Sequence, residues 1–263
     1  MALGLLLADD RARLARVEAD PAARLVDLLV IDLPDGHVVD GRVQRPEDLA
    51  DVLRPALRGE VVVAALGSPE VRLIPASLAQ NTERLRQTLV DDPIAVLGLL
   101  TGVWCRDQGV GDPSCLAIAA DLSVEPLGRT LAMTEVRACA VDPLPLTLLR
   151  VGAFRREFLS ATTLVEWFDG RMAWWATTTD GWPAAGGSVA PSDDQTGPGL
   201  WVTRHGQKQR LVDLSMVGGF DGSAESFTFV PAIAAALAAV DDRVFAIDLR
   251  RPAWTLDPNA PAT

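Results

Sequence analysis

The sequence has no tyrosine, one lysine, two histidines and three cysteines among its 263 residues. The cysteines, Cys105, Cys115 and Cys139, form no CxxC pair, and His37 and His205 are too few for the usual zinc ligand sets. We therefore expect no metal site and no disulfide, although Cys105 and Cys115 are spaced so that they can face each other across a hairpin. Neither histidine follows a nucleophile motif, so we expect both on the surface.

The sequence also lacks a long apolar segment. Its longest apolar stretches, such as Ala232–Val240 and Ile94–Trp104, fall well short of the roughly 20 residues that a membrane-spanning helix needs. No basic segment precedes the apolar residues at the start, as it would in a secretory signal. We therefore expect a cytoplasmic protein without direct membrane insertion.

Positive charge is in short supply. Acidic residues outnumber basic ones, 35 to 24, which gives a net charge of −11. This balance repels phosphate-rich surfaces, so nucleic acid is not an expected partner. The apolar content of 49% is ample for a core and predicts one or two globular domains.

The first half predicts strands followed by helices. Apolar runs over 3–8, 13–18 and 25–33 predict three consecutive strands, and Pro46 with two acids begins a helix that ends at Gly59. Val61–Leu66 and Val71–Ile74 flank Gly67–Glu70 and predict a hairpin. Further along we expect a helix over 76–90, strands over 99–105 and 115–120, a helix over 124–133, a strand over 137–141, and a helix that begins at Asp142-Pro143.

The second half contains the clearest local signal, a hairpin of Thr162–Phe168 and Arg171–Thr178 around a type I′ turn at Asp169-Gly170. In that register Phe168 faces Arg171, and Val165 faces Trp174. Val165, Trp167, Met172 and Trp174 then form one apolar face, whereas the roles of Trp175 and Trp182 stay open. After it we expect a mobile loop over 180–198, strands over 200–203 and 210–216, a helix over 230–240, a strand over 243–249, and a tail from Pro252.

The order and spacing of several segments resemble the actin-like pilus assembly protein family PilM, a relative of the cell-division protein FtsA. Leu33–Val43 (LPDGHVVDGRV) followed by Pro46-Glu47-Asp48-Leu49 is similar to one stretch of that family. The other similar segments are Leu3–Glu18, Glu60–Leu66 with Val71–Pro75, Ser114–Asp121, Arg137–Arg150 (RACAVDPLPLTLLR) and Phe229–Leu249.

The resemblance implies an α/β fold of the actin-like (ribonuclease H-like) kind, with two lobes and an inserted small α+β (SHS2-like) subdomain. It places the first lobe at 1–150, with the insertion at about 43–135. The second, shortened lobe occupies 151–263 and contains the expected mobile loop at about 180–198.

The resemblance also locates the two Gly-containing turns that hold phosphates in the family. The first falls at Leu6, Ala8, Asp9 and Asp10, and the second at Ser160, Ala161 and Thr162. Both lack the family's Asp and Gly, and two carboxylates at the first turn repel phosphate. Asp9 and Asp10 can be read as an acid/base or magnesium pair, but such a pair at a hairpin tip is more often a turn. Gly218 and Gly219 give only a weak signal for a nucleotide contact, so we expect no cofactor and no catalysis.

The resemblance finally implies a partner, the cytoplasmic N-terminal peptide of an inner-membrane PilN-like protein, and other pilus platform proteins. The segments that can offer it strand backbone or apolar pockets contain Val26, Leu28, Val30, Val61, Val63, Val71 and Leu73. Ordinary sheet core explains the same residues. We expect a non-catalytic scaffold, cytoplasmic and peripheral at the inner membrane through its partner. The alternatives are a GspL-like component of a type II secretion system and an active ATP-binding actin-like protein.

Overall fold

The computed structural model describes residues 1–19, 23–89, 92, 94, 97–107, 110–153, 162–190, 197–211, 214, 217–240 and 247–257. The helices are α1 (Pro46–Leu57), α2 (Ala76–Ala79), α3 (Thr82–Leu89), α4 (Asp121–Met133), α5 (Leu144–Ala153), α6 (Ala224–Phe227) and α7 (Val230–Val240). The strands belong to two large sheets and one two-stranded ribbon, β4 (Val38–Val39) with β5 (Arg42–Val43).

The first sheet has five strands in the order β10-β6-β1-β2-β3. They are β1 (Ala2–Leu7), β2 (Arg11–Ala19), β3 (Ala23–Asp32), β6 (Val61–Leu66) and β10 (Ala138–Pro143). The three consecutive strands at the start form as predicted and pair as an antiparallel meander, and β6 runs parallel to both β1 and β10. The central strand β1 is buried along its whole length, which explains its unbroken apolar sequence.

Helix α7 packs directly on this sheet at Gly4. A Cβ on Gly4 would lie 1.7 Å from the backbone oxygen of Ala232 in α7. Only glycine therefore permits this approach, and the small residues of α7 bring its backbone close to β1.

The second sheet has nine strands in the order β15-β14-β11-β12-β13-β7-β9-β8-β16. They are β7 (Arg72–Pro75), β8 (Leu100–Asp107), β9 (Val110–Ala120), β11 (Thr163–Phe168), β12 (Ala173–Thr179), β13 (Trp182–Val189), β14 (Gly199–Arg204), β15 (Gln207–Arg210) and β16 (Trp254–Leu256). In it, Cys105 of β8 lies directly opposite Cys115 of β9, as their spacing allows, and both are buried free thiols.

The predicted hairpin of β6 and β7 is wrong, because the two strands belong to different sheets. Their connection crosses from one sheet to the other and is fixed by Glu70. The buried Glu70 carboxylate accepts two hydrogen bonds from Arg42, at 2.9 and 3.0 Å. Charge-assisted pairs with two hydrogen bonds of this kind are stronger than neutral hydrogen bonds.

The hairpin of β11 and β12 forms, but its predicted register is wrong. Phe168 lies opposite Ala173 and Val165 opposite Ala176, so the turn has four residues instead of two. The Asp169 carboxylate stabilises the longer turn by accepting the backbone N–H groups of Arg171 and Met172. Val165, Trp167 and Trp174 are buried as predicted, and Met172 is half-buried in the turn.

Three further expectations need correction. The expected mobile loop over 180–198 contains β13, which pairs with β12, while 191–196 lie outside the described residues. The expected tail contains β16, which adds to β8. The expected helix over 76–90 divides at Asn81, whose side chain accepts the backbone N–H of Arg84 and so begins α3.

Helix α5 connects the two sheets, because it contacts strands of both and also packs against α7. A wholly buried pair anchors it. Arg150 of α5 makes two hydrogen bonds to Asp142 of β10, one of them at 2.8 Å, and Thr147 donates another at 2.7 Å. Burial raises the pKa of the Asp142 carboxyl, which Arg150 partly offsets.

Candidate functional site

The turn between β1 and β2 contains the residues that the sequence places at a phosphate. It closes with a hydrogen bond of 2.9 Å from the Ala8 N–H to the Arg11 carbonyl. Leu6 is buried within β1. The Asp9 carboxylate accepts the backbone N–H of Gly41 at 3.2 Å, and Asp10 pairs with Arg11 at 2.8 Å. Both acids therefore have structural partners, as expected of a turn.

A second turn meets the first, and it is the turn between β11 and β12. Arg171 lies 3.6 Å from the Asp10 carboxylate, so an ion pair joins the two hairpin tips. The Arg11 hydrogen bond is the main cause that lowers the pKa of Asp10, and Arg171 adds to it. The second tip thus lies at Asp169–Met172, whereas Thr162 is exposed at the opposite end of β11.

Sequence reasoning overlooked Asp169 and Arg171 as site residues, although it had identified the Asp-Gly turn as a hairpin. That turn contains an adjacent acid and glycine, Asp169 and Gly170. The other residues named for the second turn, Ser160 and Ala161, lie outside the described part of the chain.

A third arginine, Arg13 of β2, lies near these charges and is half-buried. Burial lowers its pKa, and the nearby Asp169 partly offsets this. Its Nη1 atom is buried and finds no hydrogen-bond acceptor among the described residues. A buried donor of this kind is ordinarily satisfied by water or an anion.

The two glycines with a weak nucleotide signal have a structural role. Gly218 exchanges backbone hydrogen bonds with β3: it donates to Ala23 at 3.1 Å and accepts from Leu25 at 2.8 Å. These contacts lie at the start of β3, whereas the hydrogen bond from the Leu33 N–H to the Asp10 carbonyl lies just beyond its other end. Gly219 then turns the chain away with φ of +93°.

The residues predicted to bind a partner fall into two groups. Val26 and Val30 are exposed and Leu28 is half-buried, and all three lie on β3, the edge strand of the first sheet. An edge strand offers backbone groups for pairing with another chain.

The other four predicted binding residues are not available, so this part of the prediction needs correction. Val63, Val71 and Leu73 are buried, and Val61 is half-buried. Strand β6 is paired on both sides by β1 and β10, and β7 lies between β13 and β9. Their role is sheet core, because the sheet already uses the backbone edges that strand addition requires.

Other candidate residues have mostly ordinary environments. His205 is exposed as predicted, but His37 is buried, with its Nδ1 atom 3.4 Å from the Asp35 carbonyl, so the surface prediction for His37 is wrong. Trp175 is half-buried and Trp182 is exposed.

Within the described ranges, no three potential metal ligands come together. The longest described helix has 13 residues, and none there is long and apolar enough to cross a bilayer.

Among the comparisons with known proteins, only the comparison with solved structures found a match. No protein-family model matches the chain, and neither does any curated protein. Among solved structures, the chain is similar to a PilM–PilN type IV pilus biogenesis complex, with 20% identity and a TM-score of 0.51 over 73% of this chain. The match spans 62% of the length of the matched chain.

Two other solved structures show weaker similarity. One is the cytoplasmic domain of EpsL, an inner-membrane component of the type II secretion system of Vibrio cholerae, with 14% identity and a TM-score of 0.43 over 72% of this chain and 70% of that one. The other is MreB5 of Spiroplasma citri bound to ADP, with 12% identity and a TM-score of 0.36 over 72% and 51%. The PilM–PilN match, taken with the two-sheet architecture, confirms the predicted actin-like α/β fold.

Proposed function

We propose that this protein is a non-catalytic cytoplasmic scaffold of a type IV pilus-like assembly platform, held at the inner membrane by a PilN-like protein. The main support is the fold similarity to a PilM–PilN complex, together with PilM-like segments in the same order along the chain. In this proposal the protein binds the cytoplasmic N-terminal peptide of its partner.

The proposed place for the peptide is the edge strand β3. Among the seven residues that the sequence predicts to bind a partner, those of β3 alone combine exposed apolar side chains with a sheet edge, because β6 and β7 are paired on both sides. Strand addition would use the backbone of β3 for affinity and its apolar side chains for specificity.

The absence of catalysis is supported by the first turn. It replaces the family's acid and glycine by Leu6 and Ala8, and its acids already bind Gly41, Arg11 and Arg171. A phosphate at the tips would be repelled by the Asp9 and Asp10 carboxylates and would compete with Asp10 for Arg171. These contacts favour a turn that maintains the structure over one that receives a nucleotide.

A second candidate function, nucleotide or phosphate binding, draws support from two observations at the same place. The second tip keeps an Asp-Gly pair, and the Arg13 Nη1 atom lacks an acceptor among the described residues. Isothermal titration calorimetry with ATP and magnesium separates the candidates. Micromolar binding would favour the nucleotide-binding protein, whereas no detectable heat is the result expected of a scaffold.

The scaffold itself is tested by binding to its partner's peptide. The immobilised cytoplasmic N-terminal peptide of the PilN-like protein from the same organism should retain the full chain, and a scrambled peptide should not. The matching peptide of a type II secretion protein tests the GspL-like alternative in parallel. Retention by neither peptide would contradict the proposal.

A further inference from the structure

The outer edge of β3 divides into a covered half and an open half. The backbone N–H of Leu33, the residue after β3, donates to the Asp10 carbonyl on the side of β2. In an antiparallel strand, successive residues direct their backbone groups alternately toward and away from the neighbouring strand. The backbone groups of Leu28, Val30 and Asp32 therefore point outward, away from β2. On the other half, Gly218 already occupies the outward groups of Ala23 and Leu25. Within the part of the chain that the structure describes, no backbone partner reaches the outward groups of the open half.

The covered half shows that this edge accepts an added segment. Gly218 forms a parallel bridge to Arg24, so a short piece of the chain is already added to the sheet there. The chain then turns away at Gly219, where a side chain would meet the Leu25 carbonyl at 2.9 Å. A second segment can therefore continue the sheet from Leu28 onward without displacing the first.

The side chains of the open half define what it would bind. Four consecutive apolar residues, Leu28 to Ile31, lie between two exposed acids, Asp27 and Asp32. Leu29 and Val30 point to opposite faces of the sheet, yet both are exposed, by 44% and 38%. An added strand would therefore meet apolar surface on both of its faces, and a carboxylate at each end.

We infer that the open half of β3 binds an extended segment with four consecutive apolar residues between two basic residues. The inference rests on the proposed function, since it specifies the peptide that the scaffold takes. A strictly alternating apolar and polar strand fits less well, because it would place polar groups against one apolar face. Basic residues are also the ones enriched in cytoplasmic segments next to a membrane-spanning helix.

The test uses a fluorescein-labelled synthetic peptide, Lys-Val-Ile-Val-Leu-Lys with a Gly-Ser spacer, and fluorescence anisotropy with the full chain. We expect saturable binding. Replacing both lysines with glutamate, or the second and fourth apolar residues with serine, should weaken binding at least tenfold. A peptide N-methylated at alternate residues should not bind, because it keeps the side chains but loses the hydrogen bonds of strand addition.

Variants of β3 locate the site. Val30→Pro removes an outward N–H that β2 does not use, so it should abolish binding while the circular dichroism spectrum stays unchanged. The matched control, Val30→Thr, keeps the amide and should bind within about threefold of the wild type. Asp27→Lys combined with Asp32→Lys should reverse the preference in favour of the glutamate-flanked peptide, and this variant remains informative if the proline variant fails to fold.

Equal binding of the lysine- and glutamate-flanked peptides, or no loss with Val30→Pro, would overturn the inference. These results are distinguishable from a failure of the proposed function. If the PilN-like peptide retains both the wild type and Val30→Pro, the scaffold proposal stands and the site on β3 is wrong. If it retains neither while the lysine-flanked probe binds, the site on β3 stands and the named partner is wrong.

Discussion

Two ion pairs of similar chemistry, Asp142 with Arg150 and Asp10 with Arg171, differ in burial. Asp142 and Arg150 have no exposed side-chain surface, whereas Asp10 and Arg171 are 39% and 65% exposed. The buried pair anchors α5, which contacts both sheets, and the exposed pair joins two hairpin tips. The comparison indicates that α5 fixes how the sheets are joined, whereas the turn pair contributes little to stability because solvent screens it.

Breaking the buried pair should have the largest effect. Arg150→Met leaves the Asp142 carboxylate in the interior without its charge partner, so we expect unfolding to become about 3–5 kcal/mol easier. Urea denaturation followed by circular dichroism measures this change. Adding Asp142→Leu removes the orphaned charge, and the double variant should recover much of the loss. A single variant with wild-type stability would contradict the role given to this pair.

Removing a buried but uncharged contact should cost an amount of stability between the losses expected for the two ion pairs. Trp167 of β11 is buried and donates its Nε1–H to the Phe227 carbonyl of α6 at 2.8 Å. Trp167→Phe keeps an aromatic ring but leaves that carbonyl unpaired, which should cost about 1–3 kcal/mol in the same urea experiment. Trp182→Phe is the control on a ring that is 36% exposed, and it should lower stability by less than Trp167→Phe does. Equal losses in both variants would mean that burial does not set the scale.

The sequence predicted the elements whose signals are local. The three strands of the meander follow from apolar runs separated by turn residues, and α1 follows from Pro46 and two acids in its first turn. The α7 segment is so apolar that only a buried helix fits it. The actin-like fold was implied by the resemblance to the PilM family, which rests on the order and spacing of whole segments and not on any single motif.

The errors arose where a distant partner decides the structure. The apolar runs that became β6 and β7 are correctly placed as strands, but nothing local shows that they enter different sheets. Strand β13, rich in glycine and alanine, has a loop-like composition and is a strand because β12 pairs with it. The same limit hid the site, since only the fold brings Arg171 of the second tip to Asp10 of the first.

Breaking the exposed pair should have a small effect that depends on salt. Arg171→Ala removes an ion pair with most of its surface in water, so we expect a loss of about 0.2–1 kcal/mol that disappears in 0.5 M sodium chloride. Arg251→Ala is a matched control, since Arg251 is 85% exposed and contacts Asp248 at only 3.7 Å. A loss as large as that of Arg150→Met would show that the turn pair, and not α5, holds the sheets together.

The smallest expected effect concerns the pH dependence of stability, which should have opposite signs for Asp10 and Asp142. Because Arg11 and Arg171 lower the pKa of Asp10 in the folded protein, its contribution to stability is present above pH 4 and is lost as the pH falls through the lowered pKa. Burial raises the pKa of Asp142, so stability from that group instead increases as the pH falls toward 4.

The stability of the wild type relative to Asp10→Asn should therefore decline by a few tenths of a kcal/mol between pH 5 and pH 3, after allowance for screening. Relative to Asp142→Asn it should rise over the range in which the buried acid takes up its proton. Urea midpoints of the three proteins at pH 3, 4, 5 and 6 measure both differences, and changes of the same sign would contradict the contrast between a solvated and a buried carboxylate.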